Sequence, residues 1–321
     1  MDAIPGSIPL PNSSFSTYLP TLQITIDSTS LGEYKTCPRK YYYRLVEGWV
    51  PRQPSVHLRF GILLHKGREL YEHQRANGAD HQAALRAALR YVLVETWDKE
   101  TDRPWWSDHK TKNRLTLVRT LVWYLDQFGL NDPLETVILA NGKPAVELTF
   151  QFNSPYQSRV TGETFAFCGH LDRLVMLNGE TYVCDIKTTG STLGLSYFAQ
   201  YSPDNQFSLY TLAGRVVFNT PVAGVIVDAC QIAVGFSRFE RQPVHRTEAQ
   251  VNEWLADTGL WLVMLEQSAI ENHWPMNDRS CHHFGGCPYR PVCSRPPSAR
   301  QKWLETDYVR SAWDPAIVRE S

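Results

Sequence analysis

Gly169-His170-Leu171-Asp172 and Asp185-Ile186-Lys187 set two carboxylates and an amine on segments that read as adjacent strands. Successive side chains of a strand alternate between faces, so Asp185 and Lys187 project together with Val183, while Cys184 and Ile186 face the other way. Oxygen donors on paired strands suit Mg²⁺ or Mn²⁺, which prefer carboxylate and water to thiolate. Hydrolysis of a phosphodiester needs charge neutralised on the phosphoryl group, an activated water and a stabilised leaving oxygen; a cation and a lysine supply all three. Asp172 and Asp185 would hold the cation. Lys187 would either orient and polarise the water or offset charge on the phosphate, and the sequence leaves both roles open. Gly169 reads as a point where substrate or metal approaches the backbone. The plain alternative is a surface hairpin with a cross-strand ion pair, which is common and contributes little.

Other residues can join this set. His65 lies four positions after Gly61 on a predicted helix and offers an imidazole from another part of the chain. Glu147 sits in an apolar strand, where a metal or cationic partner would offset its burial and a solvent-facing edge would make one unnecessary. Gln206 and Tyr210, four apart on a predicted helix, share a face. The seven cysteines are an odd number without a secretory signal, which argues for thiols or metal ligands over a disulfide framework. Cys281, Cys287 and Cys293 are evenly spaced in a Gly/Pro-rich loop, and Cys37 precedes Pro38 far upstream. Four thiolates suit zinc or an iron–sulfur cluster, with His282 and His283 keeping zinc open. Cys168, Cys184 and Cys230 fall in strands and read as core residues.

The elements that must position these groups follow from periodicity. Asp27-Ser28-Thr29-Ser30 offers helix caps ahead of Leu31, Tyr34 and Cys37. Residues 60–74, 82–97 and 111–128 repeat apolar positions every three or four residues, predicting helices with a loop near Arg103-Pro104. After Asn141-Gly142 the texture changes: 145–150, 165–177 and 181–186 read as strands, the last two joined by Asn178-Gly179 as a hairpin. A helix over 205–216, a β-rich segment over 222–236 and a helix over 248–270 complete an α/β core carrying extra helices. A hydrophobic fraction of 43% is enough to fill it. Residues 1–22 form a Pro/Ser-rich, flexible segment; 23–321 read as one domain, divided into a helical region (23–140), an α/β catalytic core (141–270) and a cysteine-rich segment with tail (271–321). A formal charge of −1 does not advertise a polyanion partner, so any grip on nucleic acid must be local. Neither a signal peptide nor an uninterrupted apolar run of membrane length is seen, so the expectation is a soluble, cytoplasmic protein with no membrane partner.

Together these residues resemble the RecB-like branch of the PD-(D/E)XK nucleases, in particular its iron–sulfur type, which includes the CRISPR-associated RecB-type nucleases, exonuclease V and the AddB nuclease domain. The resemblance runs nearly end to end, through Ser28 to Leu31 with Tyr34 and Cys37 to Tyr41, Gly61 with His65, Gly169 to Asp172, Asp185 to Lys187, and Gln206 with Tyr210. It implies a restriction-endonuclease-like core with a mixed central sheet, a helical region towards the N-terminus and a cluster-binding segment towards the C-terminus. It also implies an Mg²⁺- or Mn²⁺-dependent deoxyribonuclease, an exonuclease on single-stranded ends, with partners in recombination, repair or CRISPR-type systems. On this resemblance His65, Asp172 and Asp185 are metal ligands, Lys187 is the catalytic lysine, Gln206 and Tyr210 support the substrate, and Cys37, Cys281, Cys287 and Cys293 hold a [4Fe–4S] cluster that clamps the helical half over the sheet. Two departures stand out: a longer spacing between the second and third cysteines, and Asp185 where the family often has Glu. Arg39, Lys40 and Arg44, interleaved with Tyr41, Tyr42 and Tyr43, offer cations for phosphates and rings for bases, unless the rings pack in the core. The rival expectations are a non-catalytic DNA-binding or recombination-partner protein and a zinc-stabilised structural protein.

Overall fold

The computed structural model of the chain describes residues 14–53, 55–217 and 221–317. In chain order its main strands are β1 (Thr25–Ile26), β2 (Trp49–Pro51), β3 (Val146–Gln157), β4 (Thr164–Leu177), β5 (Glu180–Thr189), β6 (Val222–Ile232), β7 (Ser237–His245) and β8 (Tyr308–Arg310). Its main helices are α1 (Ser28–Thr36), α2 (Val56–Ala76), α3 (His81–Glu95), α4 (Arg114–Phe128), α5 (Leu195–Ala199), α6 (Asn205–Val217), α7 (Glu248–Ile270) and α8 (Pro297–Asp307). The fold is mixed α/β with a mixed sheet: β5 runs parallel to β6 but antiparallel to β4, and β7 is antiparallel to β6. The chain divides into two compact units. One comprises the chain up to Gln53, Thr149–Gly169 and the chain from Glu248; the other comprises the stretch between Gln53 and Thr149 and His170–Thr247.

The second unit holds the strands that matter most. Asn178 and Gly179, with φ of 52° and 85°, turn β4 into β5, since a two-residue turn that matches strand twist needs left-handed backbone at both positions. β6 is buried almost throughout, and its largely apolar run, broken by Asp228 and Gln231, is what a strand covered on both faces requires. β7 begins where the β-rich segment expected over 222–236 ends; its mainly polar sequence gives no strand period, and it carries Pro243, tolerable only where no further strand needs its missing N–H. Helices α2, α3 and α4 place Phe60, Leu64, Ala84, Ala88, Val92, Leu117, Leu121 and Leu125 in one cluster with Cys230 and Ile232 of β6. Gly67 lets them close in, because a Cβ there would meet Leu121 at 2.9 Å and Val92 at 3.2 Å.

In the first unit Asp27 caps α1 by accepting the Ser30 N–H at 2.7 Å, and Tyr34 reaches Ser268 of α7 at 2.9 Å. β1 lies parallel to β4 at Thr25 and Ala166, and β2 pairs with β8. Of the segment 1–22, residues 1–13 lie outside the described residues, whereas Ser16 donates to Glu163 and Leu22 is fully buried. Among the described residues no helix is long and apolar enough to cross a membrane.

Candidate active site

The site of the second unit begins where a ladder stops. β4 and β5 pair from Leu177 and Glu180 up to Arg173 and Cys184, and no further pair follows among the described residues. Beyond that point the Ile186 N–H is satisfied by the Asp172 carboxylate, at 2.8 Å from Oδ2, so a side chain takes the position of a strand carbonyl. The same oxygen lies 3.5 Å from His65 Nδ1, brought in by α2. His65, Glu147 and Asp172 each present a ligand atom within 4.8 Å of the other two, a nitrogen and carboxylate oxygens of the kind that hold a divalent ion.

One register position away, Lys187 Nζ lies 2.7 Å from Asp185 Oδ2 and donates to Gln206 Oε1 at 2.7 Å; Gln206 Nε2 in turn donates to the Tyr210 hydroxyl at 2.8 Å. Lys187 and Asp185 share a face of β5, as the two-residue period requires, and α6 brings Gln206 and Tyr210 over it. Aromatic rings adjoin them: Phe207 lies 5.8 Å from Lys187 Nζ and stacks on Tyr201, which sequence reading did not single out.

The electrostatics split the two aspartates. Burial pushes Asp172 up, but His65, the Ile186 N–H and Lys187 outweigh it and bring the carboxyl down to about 2. Asp185 is only 2% exposed; burial, together with the Asp172 charge, lifts it to about 6 despite Lys187. Burial pulls Lys187 down, yet Asp185 and Asp172 more than compensate and raise it, so the amine is a cation at neutral pH. Burial likewise lowers His65, and Asp172 with Asp185 carries it above its ordinary value.

Behind these groups runs a chain of buried and half-buried charges that begins and ends on α2. Arg68, three residues after His65 on α2, donates to Asp228 at 2.6 Å; Arg241 lies 3.1 Å from Asp228 and 2.5 Å from Asp132. Asp132 faces Arg173 at 3.3 Å, and Arg173 reaches Glu72, back on α2, at 2.8 Å. Tyr124 donates to Asp228 at 2.5 Å. The series of charges passes through Arg173, next to Asp172, and returns to the helix that carries His65, so it fixes helix and strand against each other.

The cysteines lie in the first unit. Burial raises Cys287, with Cys37 and Cys281 adding to the effect, and burial raises Cys293 to about 11 with help from Cys287 and Cys37. Cys287 therefore lies within electrostatic reach of Cys37, Cys281 and Cys293, and four thiols are a donor set that would suit a cluster or zinc. All four cysteines belong to the first unit, whereas the apolar cluster of α2, α3 and α4 packs on Cys230 and Ile232 of β6 in the second. His282 is exposed and faces Arg290 at 3.4 Å; the His283 side chain lies outside the described residues.

One open alternative is decided and one expectation corrected. Tyr41 is fully buried and Tyr43 nearly so, and Tyr42 stacks on Trp274, so these rings pack in the core of the first unit, while half-buried Lys40 and Arg44 both pair with Glu33. Gly169 gives its space to a ring rather than to a ligand: a Cβ there would lie 2.8 Å from Phe150 Cζ.

A mixed sheet that parts at two carboxylates and a lysine, faced by a helix histidine, is consistent with a nuclease fold. The chain belongs to the PD-(D/E)XK nuclease superfamily, whose model matches residues 28–294. Nucleases of this superfamily use divalent metals. No curated protein matches the sequence. Among solved structures the chain is similar to a candidate exonuclease from Eubacterium rectale, with a TM-score of 0.48 and 9% identity over 86% of this chain and 94% of that one. It is also similar to the protein SSO0001, with a TM-score of 0.34 and 16% identity over 84% of this chain and 86% of that one.

Proposed function

We propose that the chain is a divalent-metal-dependent deoxyribonuclease acting as an exonuclease on single-stranded ends, with Mg²⁺ or Mn²⁺ for hydrolysis and a [4Fe–4S] cluster on Cys37, Cys281, Cys287 and Cys293. The observation that carries it is the meeting of Asp172, Asp185 and Lys187 at the point where β4 and β5 part. His65, Asp172 and Asp185 would hold the ion, which when bound supplies Lewis-acid polarisation of a phosphoryl oxygen and a more acidic water.

The chain's own residues do the rest. Lys187 offers three N–H donors; Asp185 and Gln206 take two, which leaves one for a phosphate oxygen or an attacking water. Held as a cation, it is an electrostatic partner of the phosphate rather than a base. Gln206, itself positioned by Tyr210, keeps the amine from swinging out of line. Cysteines placed within electrostatic reach in the other unit support the cluster assignment over chance burial.

The test is an end-labelled single-stranded DNA incubated with Mn²⁺ and protein purified without oxygen, beside a circular single strand. The expected result is stepwise shortening of the linear substrate, an intact circle, and a roughly 10²–10³-fold slower rate for Lys187→Ala at unchanged folding. No cleavage by the wild type, or equal cleavage by Lys187→Ala, overturns the reading. Cleavage of the circle overturns the exonuclease assignment alone, and zinc in place of iron in the purified protein overturns the cluster.

A further inference from the structure

We infer that Glu147 is a further ligand of the catalytic cation, joining His65, Asp172 and Asp185. The inference rests on the nuclease reading above and adds to it a residue that the core motifs do not contain.

Three elements deliver these donors independently: α2 brings His65, β4 brings Asp172 and the start of β3 brings Glu147. Their ligand atoms all lie within 4.8 Å of one another. Between them is a cavity of about 20 Å³, walled also by Arg173, Cys184 and Ile186, which is room for one water-sized occupant. The backbone explains how a strand residue comes to point there. Alternation along β3 fails at its start, where Ala145, Val146 and Glu147 are buried in succession. Glu147 has φ of 50°, the left-handed region that side chains other than glycine rarely occupy. That local reversal removes the carboxylate from the two-residue alternation and aims it at Asp172.

Donor chemistry selects the occupant. Two carboxylates alone suit Mg²⁺, Ca²⁺ and Mn²⁺ alike, but an imidazole nitrogen in the same set favours a first-row metal, so Mn²⁺ is the cation this site takes most readily. With Asp185 the ion would have four protein donors, which leaves two positions of a six-coordinate ion to water and phosphate oxygens.

The experiment is Mn²⁺ titration of DNA-free, cluster-containing protein, followed by the paramagnetic resonance of free Mn²⁺, with Asp172→Asn as the reference variant. Glu147→Gln removes the charge and keeps the shape; Glu147→Asn removes it with a residue that accepts left-handed backbone. Both should bind Mn²⁺ about tenfold or more weakly than the wild type, as Asp172→Asn should, at unchanged melting temperature for at least one of the two. Wild-type affinity in a folded Glu147 variant, with Asp172→Asn impaired, overturns this inference and leaves the nuclease reading standing. Absence of Mn²⁺ binding by the wild type, or indifference of all three variants, overturns both.

Discussion

The carboxylate site and the cysteine segment are two ways of holding a reactive group in place. In the second unit the ionised groups already have protein partners: Lys187 has Asp185 and Gln206, Asp172 has Ile186 and His65, and the charges from Arg68 to Glu72 form a series that returns to α2. In the first unit the sulfurs have only weak company. Cys37 accepts the Asn277 N–H at 3.4 Å, Cys281 lies 3.9 Å from the Asn277 carbonyl, and the short turn Asp278–Gly285 leads to Cys287 and Cys293 beside the stacked Tyr289 and Tyr308. The difference teaches that one site is organised by ionic and hydrogen-bonded partners within the chain, whereas the other is organised by packing around its thiols.

The largest blow to that comparison should come from Asp228→Ala, which leaves Arg68 and Arg241 buried without their common carboxylate. Breaking a buried pair from one side costs about 3–5 kcal/mol, and urea unfolding should show it, with Mn²⁺ affinity falling as α2 loosens. A loss under about 1 kcal/mol would mean that this series of charges is not what fixes the helix. Next, Cys287→Ser or oxidative loss of iron should destabilise the first unit by about 3 kcal/mol, the amount a ligand contributes at a hundredfold excess over its Kd. Two calorimetric transitions, only the first of them shifted, are the expected sign; an unshifted pair removes the cluster's structural role.

A pH experiment sharpens the contrast from the other side. Asp185 has a folded pKa raised from 3.8 to about 6, so the folded metal-free protein holds this proton more tightly than the unfolded chain and loses stability as pH rises from about 4 to 6. Against Asp185→Asn, the wild type should lose about 2 kcal/mol between about pH 4.5 and 6.5 in chelator, and the loss should shrink when Mn²⁺ is present. Asp172 behaves oppositely: its depressed pKa means that its contribution disappears as pH falls from about 4 towards 2. The smallest effect is expected at Gly169→Ala, where the Phe150 ring can shift and the crowding should cost about 1 kcal/mol in the melting profile without touching Mn²⁺ affinity, since the glycine serves packing.

Much of the fold was readable because it is written locally. The predicted helices over 60–74, 82–97, 111–128, 205–216 and 248–270 each lie in an observed helix apart from a few end residues, and the hairpin turns at Asn178 and Gly179 as its dipeptide requires. Asp172, Asp185, Lys187, Gln206 and Tyr210 were named from strand and helix periods, and the structure brings Asp185, Lys187, Gln206 and Tyr210 into one chain of contacts. What stayed hidden is non-local or breaks a period. The partners of Arg173, Asp132 and Arg241 are 41 to 109 positions apart, and no spacing rule links them. Glu147 defeats the two-residue rule through one left-handed φ, and sequence carried only its apolar setting as a hint. Tyr41 and Tyr43 stayed open between stacking platform and core because a run of Tyr beside basic residues reads the same whether it faces solvent or fills a core.

The end of the β4–β5 ladder has one more consequence. A shift of β5 by a single residue would exchange Asp185 and Lys187 for Cys184 and Ile186 on the face towards α6, and would withdraw the Ile186 amide from Asp172. Strand alignment and the proposed active site are thus tied together: because β5 is buried on both faces from Tyr182 to Asp185, a one-step slip would also displace core side chains, and misaligned molecules should lose stability together with the proposed cleavage.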